Sequence, residues 1–192
     1  MYENSEYSAI PERLRTIISQ LWHEHVRPDL PLAYQITFSC YGARLHGHAL
    51  GSVDRSHNIH GSPYLSPCRR RVEAISSRLL ENRRLLQADE RTRVLEAMRE
   101  VCLFRGWIAL AIQVRSNHVH AVVHGRAAPE KMMNDFKSYA TRTLNRRSRS
   151  KRRRNWAEHG STKYLWEPDD VEASVQYVLY MQGKPMAVFY PE

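Results

Sequence analysis

Trp107-Ile108-Ala109-Leu110-Ala111-Ile112-Gln113-Val114, then Arg115-Ser116-Asn117, then His118-Val119-His120-Ala121-Val122-Val123, reads as two strands joined by a tight turn. The first arm is apolar on both faces, which predicts an interior strand. In the returning arm, alternation puts His118 and His120 on one face and Val119 on the other. Two imidazoles at the start of a mid-sheet strand form half of a divalent-metal site. The bland alternative is a pair of partly buried histidines satisfied by hydrogen bonds.

The rest of the chain arranges itself around this hairpin. Ala33-Tyr34-Gln35-Ile36-Thr37-Phe38-Ser39-Cys40 alternates and is rich in β-formers, so it is the first strand. Gly42, Gly47, Gly51 and Gly61 punctuate a loop or hairpin that also carries His46, His48, His57 and His60, at spacings that match no standard zinc pattern. Val72, Ile75, Leu79 and Leu80 predict a helix within 68–86. A second helix is predicted from Asp89 as its cap to Gly106 as its terminator, with Val94, Leu95, Met98, Val101 and Cys102 as its stripe. Pro129 to Asn145 reads as a helix with Met132, Met133, Phe136, Ala140 and Leu144 inward. Ser161 to Trp166 reads as a short strand whose Tyr164 and Trp166 either stack on an unpaired base or serve the core, with the core reading preferred. Pro168-Asp169-Asp170 opens a last helix through Gln182, ended by Gly183 and Pro185. Residues 1–30 read as a helical extension with Leu14, Ile17, Ile18 and Leu21 packed on a single domain over 31–192. The order predicts an α+β fold, helices packed on an antiparallel sheet.

Composition narrows the partners. The 192 residues are 42% hydrophobic, enough for a core, and carry a net charge of +9. Such an excess favours a polyanion, nucleic acid first. Arg146-Arg147-Ser148-Arg149-Ser150-Lys151-Arg152-Arg153-Arg154 concentrates it in a stretch that resists burial and reads as a flexible loop. Three scattered cysteines without a CxxC pair argue against a structural zinc knuckle and for a reducing, cytoplasmic setting. No apolar run approaches the ~20 residues of a membrane span, and the acidic N-terminus lacks a signal core, so no membrane partner is expected.

The His-x-His strand separates the phosphodiester chemistries. Histidine-triad nucleotide hydrolases need a third histidine where this chain has Val122, and the 2H phosphoesterases need two His-x-Thr/Ser motifs that are absent. His-hydrophobic-His on a central strand is the signature of the HUH single-strand endonucleases. Val114 to Val123, with its Asn-His-Val-His core, resembles the tyrosine transposases of that superfamily, including REP-associated tyrosine transposases and their single-strand insertion-sequence relatives. Tyr34-Gln35-Ile36-Thr37-Phe38 looks like their first strand. Phe136-Lys137-Ser138-Tyr139-Ala140-Thr141-Arg142 looks like their following helix. Val175-Gln176-Tyr177-Val178-Leu179-Tyr180-Met181-Gln182-Gly183 looks like their nucleophile helix.

The resemblance implies a ferredoxin-like core of HUH endonuclease type and a transposase or endonuclease acting on single-stranded or hairpin DNA. It implies His118 and His120 as ligands of Mg²⁺ or Mn²⁺, and Tyr177 as nucleophile forming a 5′-phosphotyrosine, with Tyr180 second and Tyr139 third. Relatives place an amide four residues after the tyrosine. Here that position is Met181 and the amide is Gln182, about 140° away round a regular helix, so Gln182 is the expected third ligand. Lys137, Arg142, Arg146, Arg147, Arg149, Lys151, Arg152, Arg153 and Arg154 are the expected DNA contacts. Many relatives set the tyrosine helix against a partner's metal site, which raises a homodimer as an option; some REP-associated relatives act as monomers. Two alternatives stand beside this reading: a domesticated, non-catalytic nucleic-acid-binding protein and a metal phosphoesterase that uses water.

Overall fold

A computed structural model of the chain describes residues 10–25, 27, 29–43, 68–146 and 153–192. The loop histidines His46, His48, His57 and His60 lie outside the described residues, as do Arg147, Arg149, Lys151 and Arg152 of the basic block. The strands are β1 (Ala33–Cys40), β2 (Ile108–Val114), β3 (His118–His124), β4 (Trp156–Leu165) and β5 (Ala187–Phe189). The helices are α1 (Glu12–Glu24), α2 (Arg69–Ser77), α3 (Ala88–Arg105), α4 (Pro129–Asn145) and α5 (Pro168–Tyr180).

All neighbouring strands pair antiparallel, in the order β4-β1-β3-β2-β5. The first four strands with crossover helices α3 and α4 make the β-α-β-β-α-β arrangement of a ferredoxin-like fold, as the sequence predicts. The histidine strand β3 is the middle strand. Its turn is secured by three backbone hydrogen bonds: Arg115 N–H donates to the His118 carbonyl, Cys40 N–H to Asn117 and Leu86 N–H to Ser116.

Each sheet face has its own core. Ile36, Phe38, Ile112, Val114, Val119, Ala121 and Val123 pack with α3 and α4 through Met98, Val101, Met132 and Phe136. The alternate phase supplies Ala33, Leu110, Ala111, Val122 and Leu165 to α1 and α5, which add Leu14, Ile18, Val171, Val175 and Val178. The N-terminal helix is thus held by its apolar stripe, as its periodicity predicts. Gly106 ends α3 with φ +68°, in the left-handed region where only glycine is unstrained. Gly160 lets α4 approach the edge strand: a Cβ there would lie 2.5 Å from the Thr37 carbonyl oxygen and 2.6 Å from Met133 Sδ.

Several expectations are corrected. α3 is capped by Gln87 in a capping box with Glu90, two residues earlier than Asp89, which instead pairs with Arg93 at 2.9 Å. α2 ends at Ser77 and buries none of its residues; Leu80, expected inward, is exposed. The chain from 79 to 87 runs extended across the strand ends, because Arg84 and Leu86 N–H groups bond to Tyr41 and Ser116 rather than to a helix. β4 starts five residues earlier than the short strand expected, since the ladder to β1 extends to Trp156 opposite Cys40. Tyr164 and Trp166 are half-exposed rather than core. They stack on each other at 6.5 Å, and Tyr164 meets Tyr34 edge-on. β5, not anticipated, pairs Ala187–Phe189 with β2. The cysteines are free thiols, and burial pushes Cys40 and Cys102 up to about 12, out of reactive range. Among the described residues no helix is long and apolar enough to cross a membrane.

Candidate functional site

β1 has two phases. Tyr34, Ile36 and Phe38 face α3 and α4, while Gln35, Thr37 and Ser39 face the other way. Directly paired residues of antiparallel strands share a face. Thr37 pairs with His120 and Ser161, and Gln113 pairs with His120. A polar row, Ser161–Thr37–His120–Gln113, therefore crosses four strands on the α5 side. His118 lies one pleat nearer the turn, opposite Ser39.

The two imidazoles are in contact, ring centroids 4.7 Å apart at 81°. His120 is buried and its Nδ1 lies 2.8 Å from Thr37 Oγ1. His118 is half-buried and its Nδ1 lies 2.6 Å from Asn117 Oδ1. An amide oxygen can only accept, so this pair puts a His118 proton on Nδ1, which in the neutral ring leaves the lone pair on Nε2. Gln113 is wholly buried, and its Nε2 has no hydrogen-bond partner among the described residues.

α5 brings the tyrosine. Pro168 at its first turn and the acidic Asp169 and Asp170 suit a helix N-terminus, and Val171, Val175 and Val178 seat it on the sheet. Tyr177, half-exposed, then meets His120 edge-to-face, centroids 5.6 Å apart at 83°. The same chain supplies both rings. Tyr139 is on α4, against the opposite face, with the Arg142 guanidinium 5.0 Å over its ring. Tyr180 is the last residue of α5 and half-exposed.

The helix stops at Tyr180, two residues before the expected end, and Gly183 follows with φ +70°. Gln182 has therefore left the helical phase. It turns back, its Nε2 donating to the Tyr177 carbonyl at 3.4 Å. Beyond it, Arg115 of the hairpin turn donates Nη1 to the Lys184 carbonyl at 3.0 Å and to Gln113 Oε1 at 3.4 Å. With β5 zipped onto β2, this fastens the end of the tyrosine helix to the strand beside the histidines.

The expected cationic contacts divide. Arg142, Arg146, Arg153 and Arg154 are exposed. Lys137 does not join them. Its ammonium is buried and donates to the Ala157, Glu158 and His159 carbonyls at 3.0, 3.0 and 3.3 Å, binding α4 to the start of β4. Burial pulls its pKa below the usual lysine value, against the opposing charge of Glu158. It was expected among the phosphate contacts because the sequence shows a lysine beside a motif, not the carbonyls that wrap it.

The groups absent from the sequence expectation are Thr37, Asn117, Gln113 and Arg115. Thr37 carried no local signal: the β1–β3 register alone sets it on the histidine face. Among the described residues, no three His, Cys, Asp or Glu side chains gather as a metal site. His118 and His120 are the pair that could hold an ion, with an amide as the available kind of third protein donor.

Among solved structures, the chain is similar to one described as the REP-associated tyrosine transposase bound to a REP hairpin, at 11% identity and a TM-score of 0.41; the match covers 76% of this chain and 63% of that one, so this chain spans less than two thirds of that relative's length. A Deinococcus radiodurans R1 protein described as a candidate transposase is similar at 12% identity and a TM-score of 0.40, over 77% of this chain and 88% of that one. No curated protein matches the chain. Residues 78–175, just over half of the sequence, match the family described as "Transposase IS200 like". The matched stretch contains the hairpin, both histidines and the start of α5 as far as Val175, ahead of Tyr177, and the chain belongs to the IS200-like transposase family.

Proposed function

We propose that this protein is a metal-dependent transposase or endonuclease that cleaves and rejoins single-stranded or hairpin DNA through a 5′-phosphotyrosine on Tyr177. The observation that carries the reading is the Tyr177 ring packed on His120 within one chain. A candidate nucleophile and a candidate metal ligand meet there in one chain, which supports a site completed in cis.

The residues fit a divalent ion such as Mg²⁺ or Mn²⁺. Rings anchored through Nδ1 would ligate through Nε2, the arrangement that outer hydrogen bonds enforce on ligating histidines. His118 and His120, on one face of β3 with their rings in contact, are the side chains that would hold it. Imidazole donors favour Mn²⁺ over the oxygen-seeking Mg²⁺. Gln182, held at the end of the tyrosine helix, would add its Oε1. When bound, the ion would neutralise charge developing on the scissile phosphate.

The chain's own groups do the rest. Tyr177 Oη gives up its proton and forms a bond to phosphorus as the P–O3′ bond breaks, and the leaving oxygen takes up a proton to become a free 3′-OH, so protons balance over the step. The phosphodiester energy is kept in the covalent link, so rejoining needs no nucleotide cofactor. Thr37 and Asn117 hold the two rings in place, and Arg142, Arg146, Arg147, Arg149, Lys151, Arg152, Arg153 and Arg154 bind phosphates along the strand.

The test is incubation of labelled single-stranded hairpin DNA with Mn²⁺, read on a denaturing gel. Wild type should yield a protein–DNA adduct, and Tyr177→Phe should reduce it to background. An adduct that persists in Tyr177→Phe moves the nucleophile to Tyr180. Cleavage without an adduct assigns water as the nucleophile. Binding with neither, under any divalent ion, leaves a non-catalytic nucleic-acid-binding protein.

A further inference from the structure

α2 and the segment after it are not explained by the fold. α2 buries no residue, and Val72 and Ile75 are only half-buried. Between 69 and 83 the exposed cations are Arg69, Arg70, Arg71, Arg78 and Arg83, against one exposed carboxylate, Glu73. The two carboxylates of that stretch are engaged: Glu73 with Arg69 at 2.8 Å, and Glu81 with the Arg154 backbone N–H at 3.0 Å. A cationic helix without a core contact repels itself unless an anion lies across it.

The extended segment holds α2 at one place, the end of the sheet where β3 begins. Tyr41 is the junction. Its hydroxyl accepts from Leu80 N–H at 3.1 Å and its carbonyl from Arg84 N–H at 2.9 Å. Its N–H donates to the Asn155 carbonyl at 2.9 Å, and the Arg154 guanidinium lies 5.8 Å over its ring. Arg84 Nε reaches Asn155 Oδ1 at 3.1 Å, and Leu86 N–H bonds to Ser116, two residues before His118. Gly42 makes the close approach feasible: at φ +68°, its missing Cβ would sit 3.1 Å from Arg83 Cγ and Leu79 Cδ1. The segment that follows α2, with Arg78 and Arg83, and Arg154 ahead of β4 are thus drawn together beside the turn that leads into His118.

We propose that α2 with Arg78 and Arg83 is a second phosphate-binding surface, which continues to Arg154 and carries a DNA single strand past His118. The proposal rests on the function argued above and assigns that substrate a path. Arginine is suited to it: guanidinium forks grip phosphates, and an uninterrupted Arg69-Arg70-Arg71 start places the charges around one turn.

The test compares wild type with the triple variant Arg70→Gln, Arg71→Gln, Arg78→Gln in titrations of a fluorescent single strand across salt. α2 buries no residue, so the variant should melt as wild type does, and Mn²⁺ affinity should be unchanged. Three lost phosphate contacts should flatten the log–log salt slope by about 2 and weaken binding at least tenfold near physiological salt. An unchanged slope and affinity would overturn the surface while leaving the site intact. Failure of the wild type itself to bind any single strand would overturn the parent reading instead, and the surface with it.

Discussion

The two faces of the sheet are built from the same five strands and do opposite things. Toward α3 and α4, β1 and β3 present Ile36, Phe38, Val119, Ala121 and Val123, all buried. Toward α1 and α5 the same strands present Thr37, Ser39, His118 and His120 at one end and Val122 with Ala33 at the other. One residue of register separates a stabilising core from a polar centre. The polar row can be tolerated because only half of that face is given to it. Val171, Val175 and Val178 of α5 still bury the far end, and the cost of interior polar groups is offset by hydrogen bonds such as Thr37 to His120.

The largest test of this division is Phe136→Ala. Phe136 is fully buried between sheet and α3, edge-on to Trp107 at 5.9 Å. Its loss should cost about 3–5 kcal/mol through cavity formation, measured as a lower urea midpoint at unchanged slope. Mn²⁺ binding to the protein that remains folded should match wild type, because the void opens on the face away from the histidines. A weakened metal site in the folded fraction would show that the two faces are mechanically coupled.

Reading the chain alone recovers β1, the hairpin, α4 and the histidine face, because each rests on a local alternation with a period of 2 or 3.6. The failures are where distant partners decide. Glu90 and Gln87 cap α3 because they meet across one turn, while Asp89 is a better cap by type alone. Leu79 and Leu80 continue a helical pattern, but the N–H of Leu80 is claimed by the Tyr41 hydroxyl and the helix stops short. β5 is three residues long with no periodicity, and only its pairing with β2 defines it. In the site, His118, His120 and Tyr177 were legible from motif and order. Thr37 was not, because a strand threonine acquires meaning only when the register sets it opposite His120.

Thr37→Val sharpens the comparison from the other side. It removes the hydroxyl beside His120 Nδ1 while keeping the β-branched shape. Stability should change by about 1 kcal/mol or less, the net worth of one hydrogen bond. Mn²⁺ affinity, followed by titration calorimetry, should fall about 10–100-fold as the ring loses its anchor. Thr37→Ser, which keeps the hydroxyl, should restore most of it. A valine variant that loses several kcal/mol of stability with metal affinity intact would make Thr37 part of the core rather than a positioning residue.

The smallest effect is expected at Gln182, and it bears on where the polar centre ends. Inside a helix, a residue five after Tyr177 is turned away from it, whereas one four after shares its face. That geometry would favour Met181, a poor ligand for a hard ion. The termination of α5 at Tyr180 removes the constraint, and the bond from Gln182 Nε2 to the Tyr177 carbonyl holds the amide close to its tyrosine. An amide oxygen added to two imidazoles contributes modestly, so Gln182→Ala should weaken Mn²⁺ binding roughly fivefold, less than Thr37→Val. Gln182→Glu should strengthen it by adding a charge. Gln113→Leu is the counterpart inside the sheet: it fills the same volume and removes a buried amide whose Nε2 is unpartnered, so stability should hold and metal affinity should stay as in wild type. If the two variants exchange behaviours, the third donor belongs to the polar row of the sheet, and the centre is confined to the strands rather than shared with the tyrosine helix.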